Sequence, residues 1–363
     1  MQARRLTLKH FRNISEIVFD FHPRFNILVG QNAQGKTNII ESLYFLAFGR
    51  SFRVSDFRGL IQWSQNEAIV RLHIETPLGE EERSAQLNNE KKRMFKNGKG
   101  ASPNQFASMP LVLFAPEEIL LLKDSPETRR AYIDSLLSKW IPHYSKVLSD
   151  YKRALVQRNK LLKEENISIA QKRDQMVFWE KPLLDNGTIL IQERTEWVKR
   201  LNRSITAYYN TIVGTEQKKA EFVYKPNVTP EDFATLQEER REEELERAST
   251  LVGPHRDDFK GVLNGDPIVA FGSQGEMRTF TLAMKLSEIQ FFQEVLGRDP
   301  IFLLDDVVSE LDENRSAFFF SFLKKYKGQI FATATSPTLF PKGVLDSFSA
   351  WHMEKGCSKP FTF

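Results

Sequence analysis

The sequence has little cysteine, no long apolar run and little net charge. Cys357 is the only cysteine among 363 residues, which excludes a disulfide within these residues and fits a reducing compartment. No apolar run approaches the roughly 18 residues of a membrane span, and the N-terminal segment, with Arg4, Arg5, Lys9 and Arg12, has no signal-peptide core. A net charge of +4 permits a nucleic-acid partner without arguing for one. These features predict a cytoplasmic protein.

Apolar residues are present in quantity. They make up 41% of the chain, including 29 Phe, which is enough for a sizeable core and argues against disorder. A chain of 363 residues predicts two domains, since a domain has about 150 residues.

A G-x-x-x-x-G-K-[ST] motif lies near the N-terminus, between a predicted strand at Phe25 to Val29 and a predicted helix from Asn38. This context is typical of a loop whose backbone amides hold the phosphates of a nucleotide. Lys36 is predicted to reach the β/γ oxygens and the Thr37 hydroxyl to bind Mg²⁺. The eight members of the motif are Gly30, Gln31, Asn32, Ala33, Gln34, Gly35, Lys36 and Thr37.

Two carboxylates follow a second apolar strand, predicted from Pro300 to Leu304. An enzyme with a phosphate loop needs an acid beside the loop, because a carboxylate holds Mg²⁺ there. We therefore predict that Asp305 binds the metal and that Asp306 orients the attacking water.

The pattern of the chain changes twice. Three strands are predicted between residues 4 and 29, and Asn97-Gly98 and Asn264-Gly265 predict hairpin turns. From about residue 116 to 247 the apolar spacing is helical and predicts two long helices packed as an antiparallel hairpin. Glu238 to Arg247 is predicted to be solvated and to mark a boundary. The predicted domains are a head formed by residues 1–116 and 248–363 and an inserted helical lobe formed by 117–247.

Several clusters of basic residues are candidates for binding the DNA backbone, although each is also explained as solvated surface charge or a protected strand edge. The candidates are Lys91, Lys92, Arg93, Lys96 and Lys99 around the first hairpin turn, Arg50 and Arg53 after the first helix, and Lys152, Arg153 and Arg158 in the helical region. The sequence leaves both interpretations open.

His255, Asp257 and Asp258 suggest a metal-dependent nuclease. No second histidine or carboxylate cluster at ligand spacing accompanies them, which favours a structural role.

Further segments complete a family pattern. Phe271 to Arg278 contains Ser273-Gln274-Gly275, and Ser309 to Asp312 follows the acid pair. Together with the phosphate loop, this order resembles ATP-binding-cassette (ABC) ATPases of the chromosome-maintenance and double-strand-repair type. The chain is most similar to the RecF family of bacterial recombination-repair proteins, whose pattern four more segments match: Phe11 to Asn13, Gly49 to Arg53, Phe114 to Glu117 and Gly253 to Asp258.

The resemblance implies an α/β fold: an ABC-type ATPase head, with a mixed sheet and flanking helices, carrying an inserted helical arm. It implies that ATP and Mg²⁺ are bound, and that Ser273 and Gly275 contact the γ-phosphate of a second copy in a head-to-tail homodimer. It further implies that the dimer clamps DNA, duplex or at junctions of single and double strands. RecR- and RecO-type mediators are the implied partners in loading recombinase at gaps.

The chain departs from the family pattern at two positions. Glu276 and Met277 stand where the family usually has Gln, and Asp306 stands where transporter-type relatives have Glu. Since Asp is one methylene shorter, slow hydrolysis is expected. A transporter-type ATPase subunit is the alternative, but Thr333 and Thr335 follow the last core strand where that class needs a His. A small-molecule kinase would lack the Ser273-Gln274-Gly275 element.

Overall fold

The structure is a computed structural model that describes residues 1–101, 109–307, 312–336, 339–340 and 348–361. The strands are β1 (Gln2–Phe11), β2 (Ile14–Asp20), β3 (Phe25–Val29), β4 (Glu67–Thr76), β5 (Gly79–Asn88), β6 (Lys92–Lys96), β7 (Lys99–Gly100), β8 (Leu111–Phe114), β9 (Ala220–Lys225), β10 (Asp258–Leu263), β11 (Asp266–Pro267), β12 (Ile301–Leu304), β13 (Ile330–Ala334), β14 (Ser349–Glu354) and β15 (Cys357–Phe361). The helices are α1 (Lys36–Phe48), α2 (Leu120–Lys123), α3 (Pro126–Trp140), α4 (Tyr144–Lys163), α5 (Ile169–Asn202), α6 (Ile205–Val213), α7 (Phe233–Glu239), α8 (Arg241–Arg247), α9 (Ile268–Phe271), α10 (Gln274–Leu296) and α11 (Glu313–Lys325).

The chain divides into two compact units. The first contains Met1–Leu120, Ala207–Lys218 and Arg278–Phe363, and the second contains Leu121–Thr206 and Lys219–Met277. Residues 248 to 277 fall in the second unit, where β10 pairs with β9. The predicted head and lobe are defined by where the apolar spacing becomes helical, not by compactness, and that division remains a prediction.

The first unit contains two six-stranded sheets. One has the order β2-β1-β4-β5-β6-β7, and its pairs are antiparallel. The other has the order β15-β14-β3-β13-β12-β8, and only its edge pair of β14 and β15 is antiparallel. A mixed sheet was predicted and is confirmed. Strand β3 lies between β13 and β14, and all five of its residues are buried.

Helix α1 joins both sheets in one core. Ile39 and Phe45 of α1 are fully buried in the same cluster as Leu6 and Leu28. The three predicted N-terminal strands and both hairpin turns are confirmed. Each turn has an Asn-Gly pair with positive φ, 50° and 73° in the first and 54° and 95° in the second, as two-residue hairpins require.

In the second unit, α4 and α5 form the predicted antiparallel hairpin. The pairing runs from Tyr144 beside Arg194 to Leu162 beside Lys172. The prediction that the whole stretch to residue 247 is helical is wrong at β9, which pairs with β10. The alternating residues Ala220 to Lys225 carry a strand signal, but the partner strand comes more than 30 residues later in the chain.

Residues Glu238 to Arg247 are not wholly solvated, contrary to the prediction. Glu244 is fully buried and pairs with Arg158 at 2.6 Å, and the Arg158 side chain is fully buried too. Arg158 also donates to Thr250 at 2.9 Å. Because a buried charge requires a partner, this pair explains both residues. The prediction that Arg158 contacts DNA is therefore wrong.

Candidate nucleotide-binding site

The phosphate-loop motif lies at the end of β3 and leads into α1, as predicted. Gly30 passes so close to β14 that a Cβ atom there would lie 2.4 Å from the Met353 carbonyl oxygen. Gly35 has a φ of 101° and precedes α1 without a side-chain cap. The chain therefore turns sharply from a buried strand into a helix N-terminus, which is the geometry that suits an anion.

Lys36 lies folded over the loop. Its Nζ atom donates to the carbonyl oxygens of Gly30 at 2.5 Å and Gln31 at 2.8 Å, and the residue is 6% exposed. Burial lowers the pKa of Lys36, while the nearby charges of Asp306 and Asp305 act in the opposite direction. The ammonium group is thus fixed in the loop.

Asp305 lies beside the loop, next to the Thr37 hydroxyl. Thr37 Oγ1 donates to Asp305 Oδ1 at 3.0 Å, and Thr333 Oγ1 donates to the same oxygen at 2.9 Å. The Asp306 backbone N–H donates to Thr333 Oγ1 at 2.7 Å, and Asp306 has a φ of 50°. The structure brings Lys36, Thr37 and the acid pair together.

The sequence did not assign a site role to Thr333. It lies beside Asp305 because β13 runs parallel to β12 with Leu304 opposite Ala332. The next residue in each case is Asp305 after β12 and Thr333 within β13, so pairing the two strands in register would have identified it.

Two further segments hold the loop from outside. Asn13 Nδ2 donates to the Ala33 carbonyl oxygen at 3.3 Å, and Asn38 Nδ2 donates to Asn13 Oδ1 at 2.7 Å. The turn between β14 and β15 contacts Gln34: the Lys355 N–H donates to its Oε1 at 2.5 Å and the Gly356 N–H to its carbonyl oxygen at 3.1 Å. The loop conformation is therefore fixed by residues distant in sequence.

Arg12 and Arg53 are held by Glu41, a fully buried carboxylate of α1. Arg12 donates to it twice, at 2.9 and 2.6 Å, Ser51 donates to it as well, and Arg53 lies 4.0 Å away. These residues come from two of the segments that suggested the family.

Loop residues and these arginines line one cleft of about 990 Å³. Its wall continues beyond the loop through the segment from Arg58 to Gln65, which includes Trp63. Such a volume accommodates a whole nucleotide.

In the second unit, Ser273 precedes the first turn of α10, where Gly275 also lies. The Glu276 carboxylate accepts from the Ser273 N–H at 2.9 Å and from its hydroxyl at 3.0 Å, and the hydroxyl accepts from the Glu276 N–H at 3.2 Å. This reciprocal arrangement is a capping box. Ser309, Glu310 and Leu311 lie outside the described residues, while Asp312 caps α11.

The suspected nuclease residues are occupied by internal partners. Asp257 Oδ2 accepts from Arg194 at 2.7 Å, Asp258 pairs with Arg129 at 2.7 Å, and His255 contacts Tyr151 at 2.6 Å. Burial raises the pKa of Asp257 and lowers that of His255 to about 4. Among the described residues, no group of three or more His, Cys, Asp or Glu could hold a metal ion. These contacts support the structural role.

In the basic cluster around the first hairpin turn, some side chains contact other residues of the first unit and others are exposed to solvent. Lys92 Nζ donates to the Gly49 carbonyl oxygen at 2.6 Å, and Lys96 pairs with Glu81 at 2.8 Å. Lys91, Arg93 and Lys99 are exposed.

Within the described part of the chain, no helix is both long and apolar enough to cross a membrane.

Comparisons with known proteins agree with this geometry. Residues 2–108 match the model of the RecF/RecN/SMC N-terminal domain. A solved Smc head domain from Pyrococcus furiosus has a TM-score of 0.58 at 18% identity and covers 100% of this chain and 96% of its own. The fold and the phosphate loop therefore define an ABC-type ATPase head of the kind found in Smc proteins.

Closer relatives specify the family. The DNA replication and repair protein RecF of Geobacter metallireducens is 32% identical, with 99% of this chain and 100% of the relative covered. That of Halalkalibacterium halodurans is also 32% identical, with 99% of each covered. A structure of the recombination mediator protein RecF-ATP in the RecFOR pathway has a TM-score of 0.88 at 29% identity, covering 99% of this chain and 98% of its own. The chain belongs to the RecF family of DNA replication and repair proteins.

Proposed function

We propose that this chain binds ATP with Mg²⁺ at the phosphate loop and uses the nucleotide as a switch for DNA repair. The contact of Thr37 Oγ1 with Asp305 Oδ1 at 3.0 Å, beside the buried Lys36, carries the proposal. It joins the end of the loop, which follows β3, to the acid that follows β12, two strands away in the same sheet, as an ATPase requires. A relative solved as RecF-ATP gives further support.

The residues fit their proposed roles chemically. Lys36 would exchange the carbonyl oxygens of Gly30 and Gln31 for the β/γ oxygens of ATP, and the amides from Asn32 to Thr37 would face the phosphates. The Thr37 hydroxyl and the Asp305 carboxylate are hard oxygen ligands of the kind Mg²⁺ takes, and the ion would neutralise charge on the phosphates.

Asp306 is proposed to orient the attacking water. Its backbone N–H is tied to Thr333, which fixes the residue, but the short side chain should make hydrolysis slow. A slow step suits a switch whose ATP-bound state must persist.

Ser273 and Gly275 are proposed to complete the site of a second copy in a head-to-tail homodimer. Here the Ser273 hydroxyl donates to Glu276, so it would have to leave that carboxylate to donate to a γ-phosphate. The paired heads would hold DNA, duplex or at junctions of single and double strands, and RecO- and RecR-type mediators would be the partners. A relative described in the RecFOR pathway supports this last step. The site of action would be the cytoplasm, where bacterial DNA is found.

Equilibrium ATP binding and ATP turnover test the nucleotide site, and sedimentation with and without ATP tests the homodimer. Wild type should bind ATP and dimerise. Lys36→Met should do neither because the fixed cation is lost, whereas Lys36→Arg should bind without normal turnover. Ser273→Arg should bind ATP yet stay monomeric.

Lys99→Met is the matched control, since Lys99 is an exposed lysine in a hairpin, and it should behave like wild type. ATP binding by Lys36→Met at wild-type affinity would remove the nucleotide site. A Ser273→Arg dimer that still forms with ATP would place the interface elsewhere.

A further inference from the structure

Trp63 is an exposed aromatic residue in a cleft lined mainly by polar and basic residues. It is 94% exposed, and the other four tryptophans, all within the described residues, are buried or half-buried. It lines the same cleft as Lys36 and Thr37, and it is the only aromatic residue among the described residues of that lining. An aromatic face left in water at a ligand cleft offers a stacking surface.

The backbone that carries Trp63 is fixed on both sides. The Gln62 N–H donates to the His10 carbonyl oxygen at 2.8 Å and the Gln65 N–H donates to that of Gln62 at 3.0 Å. Ile61 forms a β-bridge with Phe11. The turn that contains Trp63 is therefore built onto β1, and the exposed ring is presented by an ordered segment.

The size of the cleft indicates what the ring would contact. Three phosphates on the loop fill only part of about 990 Å³. Beyond the loop, the wall includes the segment from Arg58 to Gln65 and Asn89, which supply an aromatic face and amide groups. These are the groups that bind a base, through stacking and hydrogen bonds to its edge.

We propose that Trp63 stacks on the base of the bound nucleotide and is a binding residue for the base rather than for the phosphates. The inference rests on the proposed ATP site and adds a base subsite to it. Because every base has a π-face, stacking on Trp63 would strengthen ATP and GTP binding to a similar degree. Any preference between them would come from the neighbouring amides.

The test compares two ligands that share phosphates but differ in the base. Binding of ATP and of inorganic tripolyphosphate, both with Mg²⁺, is measured by calorimetry for wild type, Trp63→Ala and Trp63→Phe in the full chain. Trp63→Ala should weaken ATP binding about tenfold, the range of one stacked base, and leave tripolyphosphate binding unchanged. Trp63→Phe should retain most of the ATP affinity.

A spectroscopic readout accompanies the affinities. ATP, but not tripolyphosphate, should quench tryptophan emission of the wild type, and Trp63→Phe should lose that change. Phe178→Ala is the matched control, since Phe178 is an aromatic residue of the second unit that is 82% exposed, and it should affect neither ligand.

A single-stranded oligonucleotide is titrated in parallel. Three results would overturn the inference: unchanged ATP affinity in Trp63→Ala, an equal loss for both phosphate ligands, or a loss confined to the oligonucleotide, which would make the ring a nucleic-acid contact. Failure of the proposed ATP site gives a different pattern, because wild type would then bind neither ligand and Lys36→Met would change nothing.

Discussion

Thr333 links the two acids of the site through one hydroxyl group. That hydroxyl donates to Asp305 and accepts from the Asp306 N–H, and the residue is 1% exposed. The metal-binding and water-orienting residues of the proposed mechanism therefore share one anchor. A change at this single atom should disturb chemistry more than nucleotide binding.

We expect Thr333→Val, which keeps the shape and removes the hydroxyl, to lower ATP turnover by roughly 10- to 100-fold, because small misplacements of catalytic groups have effects of that order. ATP affinity should fall only a few-fold, since Lys36 and the loop remain. Single-turnover hydrolysis and equilibrium binding measure the two effects.

Thr335→Val is the control for Thr333→Val. Thr335 follows the same strand but is exposed, so its hydroxyl should be dispensable. Equal turnover in the two variants would contradict the shared-anchor interpretation.

At the scale of elements, two hairpin turns have almost the same φ values but different surroundings. Asn97 and Gly98 have φ values of 50° and 73°, and Lys355 and Gly356 have 49° and 77°. A Cβ atom on Gly98 would meet nothing within 4 Å, whereas one on Gly356 would lie 2.5 Å from the Asn13 carbonyl oxygen. Only the second turn supports the phosphate loop.

We expect Gly98→Ala and Gly356→Ala to lower the free energy of unfolding by about 1 kcal/mol through the cost of positive φ. Gly356→Ala should destabilise the chain further and weaken ATP binding, because the clash displaces the hydrogen bonds to Gln34. Urea unfolding and ATP titration of both variants provide the comparison. Normal ATP affinity in Gly356→Ala would show that the turn does not position the loop.

Local patterns explain which elements the sequence predicts. The phosphate loop, the strand before it and the two Asn-Gly turns are specified by residues adjacent in the chain, and the structure has all of them. Strand β9, the Arg158–Glu244 pair and the position of Thr333 depend on partners far away in sequence. The charged run from Glu238 to Arg247 is predicted to be solvated from its sequence, because the sequence does not show that the fold places Arg158 beside it.

Trp63 illustrates the same limit within the candidate site. Nothing in its neighbours distinguishes an exposed tryptophan from a core one, and apolar residues are more often buried. The ring lies in the cleft wall because Ile61 pairs with Phe11, and that pairing is not visible in the sequence. Aromatic residues following a phosphate loop are therefore informative only once strand pairing is known.

At the scale of the whole molecule, the proposed clamp requires exposed positive charge that binds phosphates. The structure narrows the hairpin candidates to Lys91, Arg93 and Lys99, because Lys92 and Lys96 have partners within the first unit. Binding to phosphates is independent of base sequence and strongly dependent on salt.

We expect duplex DNA affinity to rise with ATP, to fall steeply with salt and to vary little with sequence. Reversing Lys91, Arg93 and Lys99 to Glu should weaken DNA binding at least about tenfold at low salt and reduce the salt slope by about 1 for each phosphate that is no longer neutralised. ATP affinity should not change. Fluorescence anisotropy over a salt series measures these effects.

Reversal of Lys324, Lys325 and Lys327, which are also exposed and lie in the first unit, changes net charge equally and serves as the control. Equal weakening by both triple variants would assign the effect to net charge alone. DNA binding that is the same with and without ATP would contradict the clamp.

The placement of β3 has a consequence for synthesis of the protein. Phe25 pairs with Ile330 on one side, and Asn26 pairs with Ser349 on the other, so the strand that carries the phosphate loop has neither neighbour until about 300 more residues have left the ribosome. At roughly 5–20 residues per second this takes about 15 to 60 s. During that time the apolar strand β3 has no sheet to pair with. A chain that stops before residue 330 therefore cannot form the nucleotide site. A product that ends before these strands would be inert as a switch, and only chains that include β13 and β14 could respond to ATP.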